Sequence, residues 1–200
     1  MWQISIVYCM NKPRHNMKKK IFIGIGAVVI LFVLWSVYGL FFAPKKSPPT
    51  TASFSDDGLD IKVSYSQPSK RGRLIFGEEK DGALQPYGKY WRLGANAATE
   101  ITINKDITFA GQAVNAGSYR MYAVPGAVAF DVILNSELGV NFGAASEPDH
   151  TQDLLTVKIP AEPLMPEAET FTISFEPDSI GVNMNMVWDK TRLRVPIGLR

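Results

Sequence analysis

The chain has 200 residues, 46% hydrophobic and 20% charged, a length for one domain or one domain with an appendage and a composition that excludes a disordered acidic or basic chain. Its net charge of +2 averages two unlike parts: residues 1–43 hold five Lys or Arg and no acid, and residues 44–200 hold sixteen bases against nineteen acids. Nucleic-acid binding by the folded part is therefore not expected, and one cysteine, Cys9, excludes an intramolecular disulfide and a Cys-based zinc site.

Residues 1–20 carry Lys12, Arg14, Lys18, Lys19 and Lys20 and read as a basic cytoplasmic segment. Met17 opens a compact start, MKKKIFIG, so Met1 and Met17 both stand as starts. Residues 21–43 contain no charge. At about 1.5 Å per residue they span roughly 35 Å, enough for a hydrocarbon core of about 30 Å. A cleavable signal peptide has a shorter apolar region that ends in small residues; here the run ends in Leu40, Phe41 and Phe42. An uncleaved transmembrane anchor in contact with the lipid bilayer is expected. Only Lys45 and Lys46 follow it closely, so the positive-inside rule puts the N-terminus in the cytoplasm and the rest outside, on the periplasmic side of an inner membrane. Residues 44–57, rich in Pro, Ser and Thr, read as an extended tether.

From residue 58 to 200 the hydrophobic period is two. Leu59, Ile61, Val63 and Tyr65 alternate with polar residues, as do Phe130, Val132 and Leu134; Leu155, Val157 and Ile159; Phe171, Ile173 and Phe175; and Val182, Met184, Met186 and Trp188. Turn signals separate the runs, at Pro125-Gly126, Glu147-Pro148-Asp149 and Glu176-Pro177-Asp178 among others. The acidic stretch 162–169, broken by Pro163 and Pro166, reads as a solvated loop. The pattern predicts an all-β domain, a single antiparallel β-sandwich or open barrel of about nine to eleven short strands.

Motifs of strong chemical specificity are missing. There is no phosphate-cradling glycine loop, no HExxH, no GxSxG and no EF-hand loop. His15 and His150 have no metal-ligand spacing to any partner, and His150 reads as a surface residue on a polar loop. No cofactor and no metal are expected. The densest polar and aromatic stretch runs through Arg73, Tyr87, Trp91, Arg92, Asn96 and Glu100. Rigid aromatics supply contact area and arginine supplies a planar fork of donors, so these six are the candidate binding residues. Packing offers a plainer account: Trp91 alternates into the core, and Arg73 or Arg92 pairs with Glu78 or Glu100. Glu78, Glu79 and Asp81 read as a solvated hairpin loop.

Three segments, YSQPSKRGRLIFG, PYGKYWRLGANAATEITINKD and AGSYRMYAVPG, in that order, resemble the domain-of-unknown-function family 2911, associated with the cell envelope and met chiefly in Bacteroidota. The resemblance covers about residues 58–198. It implies one domain, often exported, with no established activity, and it offers no catalytic residues to carry over.

Three readings of function follow. The first is a membrane-anchored binding or accessory module of the cell envelope, taking a glycan, peptide or protein from the Tyr87–Asn96 side. The second is a hydrolase of an envelope polymer, with Glu100 or Glu78 as acid or base and Arg92 orienting substrate. The third is a purely structural envelope subunit that offers its sheet edges to a partner. A cleft that gathers Arg73, Arg92, Asn96 and Glu100 would favour the first two, and their dispersal the third.

Overall fold

The computed structural model describes residues 16–41, 47–139, 147–179 and 181–200. Cys9, His15 and most of the expected cytoplasmic segment lie outside the described residues, as do residues 42–46 of the anchor's end and the tether's start. The chain divides into two units, Met1–Pro44 and Lys45–Arg200. The first contains α1 (Asn16–Phe41), within which Lys19–Gly39 is long and apolar enough to cross a membrane. Its side chains are exposed around the whole circumference, Phe22, Leu31 and Trp35 among them. Such a helix has no polar face to turn to water.

The second unit begins with a correction to the tether. Pro49–Asp56 is a strand, β1, paired residue for residue with β2 (Leu59–Ser66). Thr50, Ala52 and Phe54 are half-buried and alternate with exposed neighbours. Their weak apolarity hides the period of two from the sequence. The hairpin turns on Asp57 and Gly58, both at positive φ (47° and 71°), the two-residue turn whose twist suits antiparallel strands.

The remaining strands are β3 (Phe76–Gly77), β4 (Gln85–Pro86), β5 (Thr99–Ile103), β6 (Ile107–Phe109), β7 (Gln112–Val114), β8 (Gly117–Val124), β9 (Ala129–Asn135), β10 (Asp153–Asp178) and β11 (Gly181–Leu199). Nine of them form one antiparallel sheet in the order β1-β2-β5-β8-β9-β10-β11-β6-β7, and β3 and β4 form a separate parallel pair. The all-β expectation holds, but the strands are not uniformly short: β10 has 26 residues and β11 has 19. The first third of β10 pairs with β9, and the rest pairs with β11. The stretch 162–169 is therefore not a loop but part of β10, with register shifts between Pro163 and Ala168 and again between Ala168 and Thr172. Prolines there donate nothing to the ladder: Pro166 falls within the first shift, and Pro163 is the last residue paired before it.

The sheet folds over at β10 into a sandwich-like pair of layers. In a flat sheet β1 and β10 would stand five strand spacings apart, roughly 24 Å. Instead the Phe54 and Phe175 rings lie 6.1 Å apart, the Tyr65 and Phe171 rings lie 5.6 Å apart, and the Ile173 N–H donates to the Tyr65 hydroxyl at 3.0 Å. One core fills the space between, drawn from Ile61 and Val63 on one side and Met184, Met186, Trp188 and Val195 on the other. Among the described residues after α1 the only helical pieces are two three-residue 3-10 turns, Glu79–Asp81 and His150–Gln152.

Candidate functional site

The chain between β2 and β3 is fixed by backbone hydrogen bonds before any side chain is considered. Gln67 N donates to Pro48 O at 2.9 Å, Lys70 N to Glu169 O at 2.6 Å, and Phe171 N to Pro68 O at 2.9 Å. A turn closes when Arg73 N donates to Lys70 O at 3.1 Å. The Arg73 side chain folds back over this turn, Nε donating to Lys70 O at 2.9 Å and Nη2 to Ser69 O at 2.7 Å. Lys70 Nζ lies between Asp189 Oδ1 at 2.7 Å and Glu167 Oε2 at 2.9 Å. Its hydrogen bonds to Asp189 and then to Glu167 raise the ammonium above its ordinary value, and the same bond to Lys70 lowers the Glu167 carboxyl. Tyr87 is held by its own N–H to Gly77 O at 2.9 Å and by Gly88 N to Pro125 O at 2.8 Å. These pieces enclose an open pocket of about 410 Å³ lined by Lys70, Gly72, Arg73, Leu74, Phe76, Tyr87, Asp189, Lys190 and Thr191. Its volume lies in the range of small-ligand sites.

Two of the six sequence-selected residues, Arg73 and Tyr87, thus share a pocket. The other four are elsewhere. Trp91 is 3% exposed and packs in the core against Phe76, Phe130, Phe171 and Trp188, with ring centroids 5.1–6.4 Å away. Its ring is not presented to a ligand. Arg92 and Asn96 belong to one loop, where Arg92 Nη1 donates to Asn96 O at 2.8 Å and Asn96 Nδ2 donates to Ser47 O at 3.1 Å. Glu100 lies on the outer face of β5, accepts the Gly139 N–H at 2.7 Å, and lines a different depression of about 390 Å³ with Thr51, Ser64 and Ser66. Neither Arg92 nor Glu78 lines that depression. Glu78 precedes the exposed 3-10 turn Glu79–Asp81, in keeping with a solvated loop. The four-residue cleft of Arg73, Arg92, Asn96 and Glu100 is not formed.

A second polar constellation was not visible in the sequence. Ser64, Glu100, Arg120, Asn135 and Asp153 stand side by side across β2, β5, β8, β9 and β10 on the face away from the core. Arg120 is only 1% exposed. Its Nη1 donates to Glu137 Oε2 at 2.6 Å, its Nη2 to the Tyr90 hydroxyl at 2.8 Å, and the guanidinium carbon lies 5.8 Å from the Tyr90 ring centre. The Tyr122 hydroxyl is 2.7 and 2.8 Å from the two Asp153 oxygens and 3.0 Å from His150 Nδ1. Asn135 Nδ2 donates to Asp153 Oδ1 at 2.8 Å and to Asp149 O at 2.9 Å, while its Oδ1 accepts the Glu137 N–H at 2.8 Å. His150 is exposed as expected, yet its Nδ1 sits 3.1 Å from Asp153 Oδ2. Strand alternation marks Arg120 and Tyr122 as outward-facing, which in an isolated sheet means solvated. Tyr90 and the chain after β9 cover them, and no local pattern announces that cover. The one local signal is Asp149, whose carboxylate caps the following turn by accepting Thr151 N at 3.0 Å.

Burial acts first on Tyr122, and with the hydrogen bond to Asp153 it pushes the phenol well above its ordinary value, so the hydroxyl stays a neutral donor. For Asp153 burial alone would raise the carboxyl; hydrogen bonds from Asn135, Tyr122 and His150 outweigh it and hold the group below its ordinary value. A carboxyl depressed in the native state contributes stability above the carboxylate range and loses it as pH falls through its lowered value. Thermal stability should therefore decline below about pH 4. Asp153→Asn should lower the melting temperature at neutral pH and flatten that acid decline; an unchanged acid slope in the variant would show that Asp153 is not depressed.

Among the described residues no three His, Cys, Asp or Glu are placed to hold a metal ion. Searches of curated proteins and of solved structures give no match. A family model described as "Protein of unknown function (DUF2911)" matches residues 47–197. The match begins two residues before β1 and ends within β11, covering the pocket of Arg73 and Tyr87 and the Arg120 cluster alike, and the chain belongs to the DUF2911 family.

Proposed function

We propose that this protein is a single-pass, membrane-anchored module of the cell envelope whose β domain stands on the periplasmic side and binds a glycan or peptide in the pocket between Arg73 and Tyr87. The observation that carries this reading is the pocket itself. It joins an oriented arginine, a tyrosine and exposed Leu74 to charged side chains on a wall fixed by backbone hydrogen bonds. Mixed apolar and convergent polar lining of that kind is what small-ligand sites share. The excess of basic residues before the apolar run that starts at Ile21 supports the orientation. A structural envelope subunit is the competing reading, favoured by the dispersal of Arg92, Asn96 and Glu100 away from Arg73.

The two separate in a thermal-shift screen of the detergent-solubilised full chain against envelope saccharides and peptides. A ligand at a hundred times its dissociation constant adds about 2.7 kcal/mol, roughly 2–4 °C for a domain of this size. The expected result is a shift by at least one compound that Tyr87→Ala abolishes while the unliganded melting point stays near wild type. A null across the panel would overturn the binding reading in favour of the structural one, and a shift indifferent to Tyr87→Ala would overturn the assignment of binding to this pocket.

A further inference from the structure

The Arg73 guanidinium is held before any ligand arrives. Its side edge is occupied: Nε–H points to Lys70 O at 2.9 Å and one Nη2 hydrogen to Ser69 O at 2.7 Å. A guanidinium carries five N–H groups, so the end edge, formed by Nη1 and the second Nη2 hydrogen, keeps donors spaced for two oxygens of one acid group. Because the two carbonyls already fix the rotamer, a ligand orders little on binding there.

The charges around it agree. Lys70, Arg73, Lys190 and Asp189 line the pocket, and because Lys70 is paired with Asp189 and Glu167, Arg73 and Lys190 are the cations it offers a ligand. Asp189 is itself buried and held 2.7 Å from Lys70 Nζ, so its charge is answered inside the wall rather than at the mouth. Lys190 is exposed. Leu74, Phe76 and Tyr87 add an apolar and aromatic surface to the same lining. A neutral ligand would accept from the end edge of Arg73 without answering its charge, and a bare inorganic ion would leave the aromatic surface uncovered.

We infer that the pocket takes an oxyanion, a carboxylate or a phosphate, carried on a ring-shaped body, with the acid group on the end edge of Arg73 and the ring against Tyr87. This rests on the binding reading above and names the ligand chemistry of the same site. The probes are glucuronate, glucose 6-phosphate, glucose and inorganic phosphate, measured by titration calorimetry on the detergent-solubilised full chain at low salt.

At least one of the two anionic sugars should bind tenfold or more tightly than glucose, and which one binds distinguishes a uronate-like ligand from a sugar phosphate. Arg73→Lys keeps the charge and loses the fork, and should weaken that sugar at least tenfold. Should Arg73→Lys also lower the melting point, Lys190→Glu, at an exposed position outside the turn, should still weaken the anionic sugar severalfold without touching the fold. Glucose binding as tightly as both anions, with Tyr87→Ala still abolishing it, would overturn the oxyanion and leave the binding pocket standing. Inorganic phosphate binding as tightly as glucose 6-phosphate would overturn the ring. No binding of either anionic sugar would overturn the inference outright.

Discussion

Trp91→Ala should cost the fold about 3–5 kcal/mol, the range for truncating a large buried aromatic. The indole is 3% exposed and meets four aromatic side chains: Trp188 in a stacked arrangement at 5.8 Å, and Phe76, Phe130 and Phe171 edge-on. It is also where two segments of the sandwich meet, because Trp91 and Ala123 exchange backbone hydrogen bonds, both at 2.8 Å. Its Nε1 is buried without a hydrogen-bond partner, so the loss on substitution is one of packing. Trp91→Phe should therefore be much milder than Trp91→Ala. Denaturant unfolding followed by circular dichroism measures both. If Trp91→Ala stays within about 1 kcal/mol of wild type, a margin at which ordinary surface substitutions fall, and loses ligand binding instead, Trp91 is a surface residue and its place in the core is refuted.

Alternation carried most of the fold because a half-buried strand writes its burial directly into the sequence. Val182, Met184, Met186 and Trp188 are all buried, as their spacing requires. The failures have physical causes. The strand Pro49–Asp56 has the composition of a tether because its inward face is Thr50, Ala52 and Phe54, too weakly apolar to show a period. The 26 residues of β10 look like separate strands and a loop in the sequence because Pro160, Pro163, Pro166 and Pro177 resemble punctuation, whereas the strand changes partner along its length. For the site, composition found Arg73 and Tyr87 together but grouped with them residues that share only sequence proximity. Arg92 and Asn96 hydrogen-bond within their own loop, and Trp91 is core. The Arg120 cluster was illegible for a different reason. Its members come from β8, β9, β10 and the chain around Tyr90, and only tertiary cover turns a polar strand face into a buried one.

That cover makes Glu137 the position where removing one side chain should cost most outside the aromatic core. Arg120 is 1% exposed, and Glu137 Oε2 forms an ion pair with it at 2.6 Å. Deleting one member of a buried pair typically costs 3–5 kcal/mol, since the other charge stays where water cannot reach it. The Glu137 side chain is 36% exposed, which screens the pair and places the expected loss for Glu137→Ala at the low end, about 3 kcal/mol. Arg120→Met removes the buried charge together with its need for a partner, and replacing buried ionic groups by apolar ones of similar volume is often nearly neutral. It should therefore cost less than Glu137→Ala, although the outward charge is the one a solvated-face reading would call dispensable. The double variant should be no worse than Arg120→Met alone, because without the guanidinium Glu137 has no buried charge to answer. Urea unfolding of the three variants gives the cycle. Glu137→Ala within about 0.5 kcal/mol of wild type, the scale of an exposed pair, would mean that Arg120 is solvated in solution. In that event the outer face of β8 and β9 is open to solvent; otherwise it is a clamp that fixes the chain after β9.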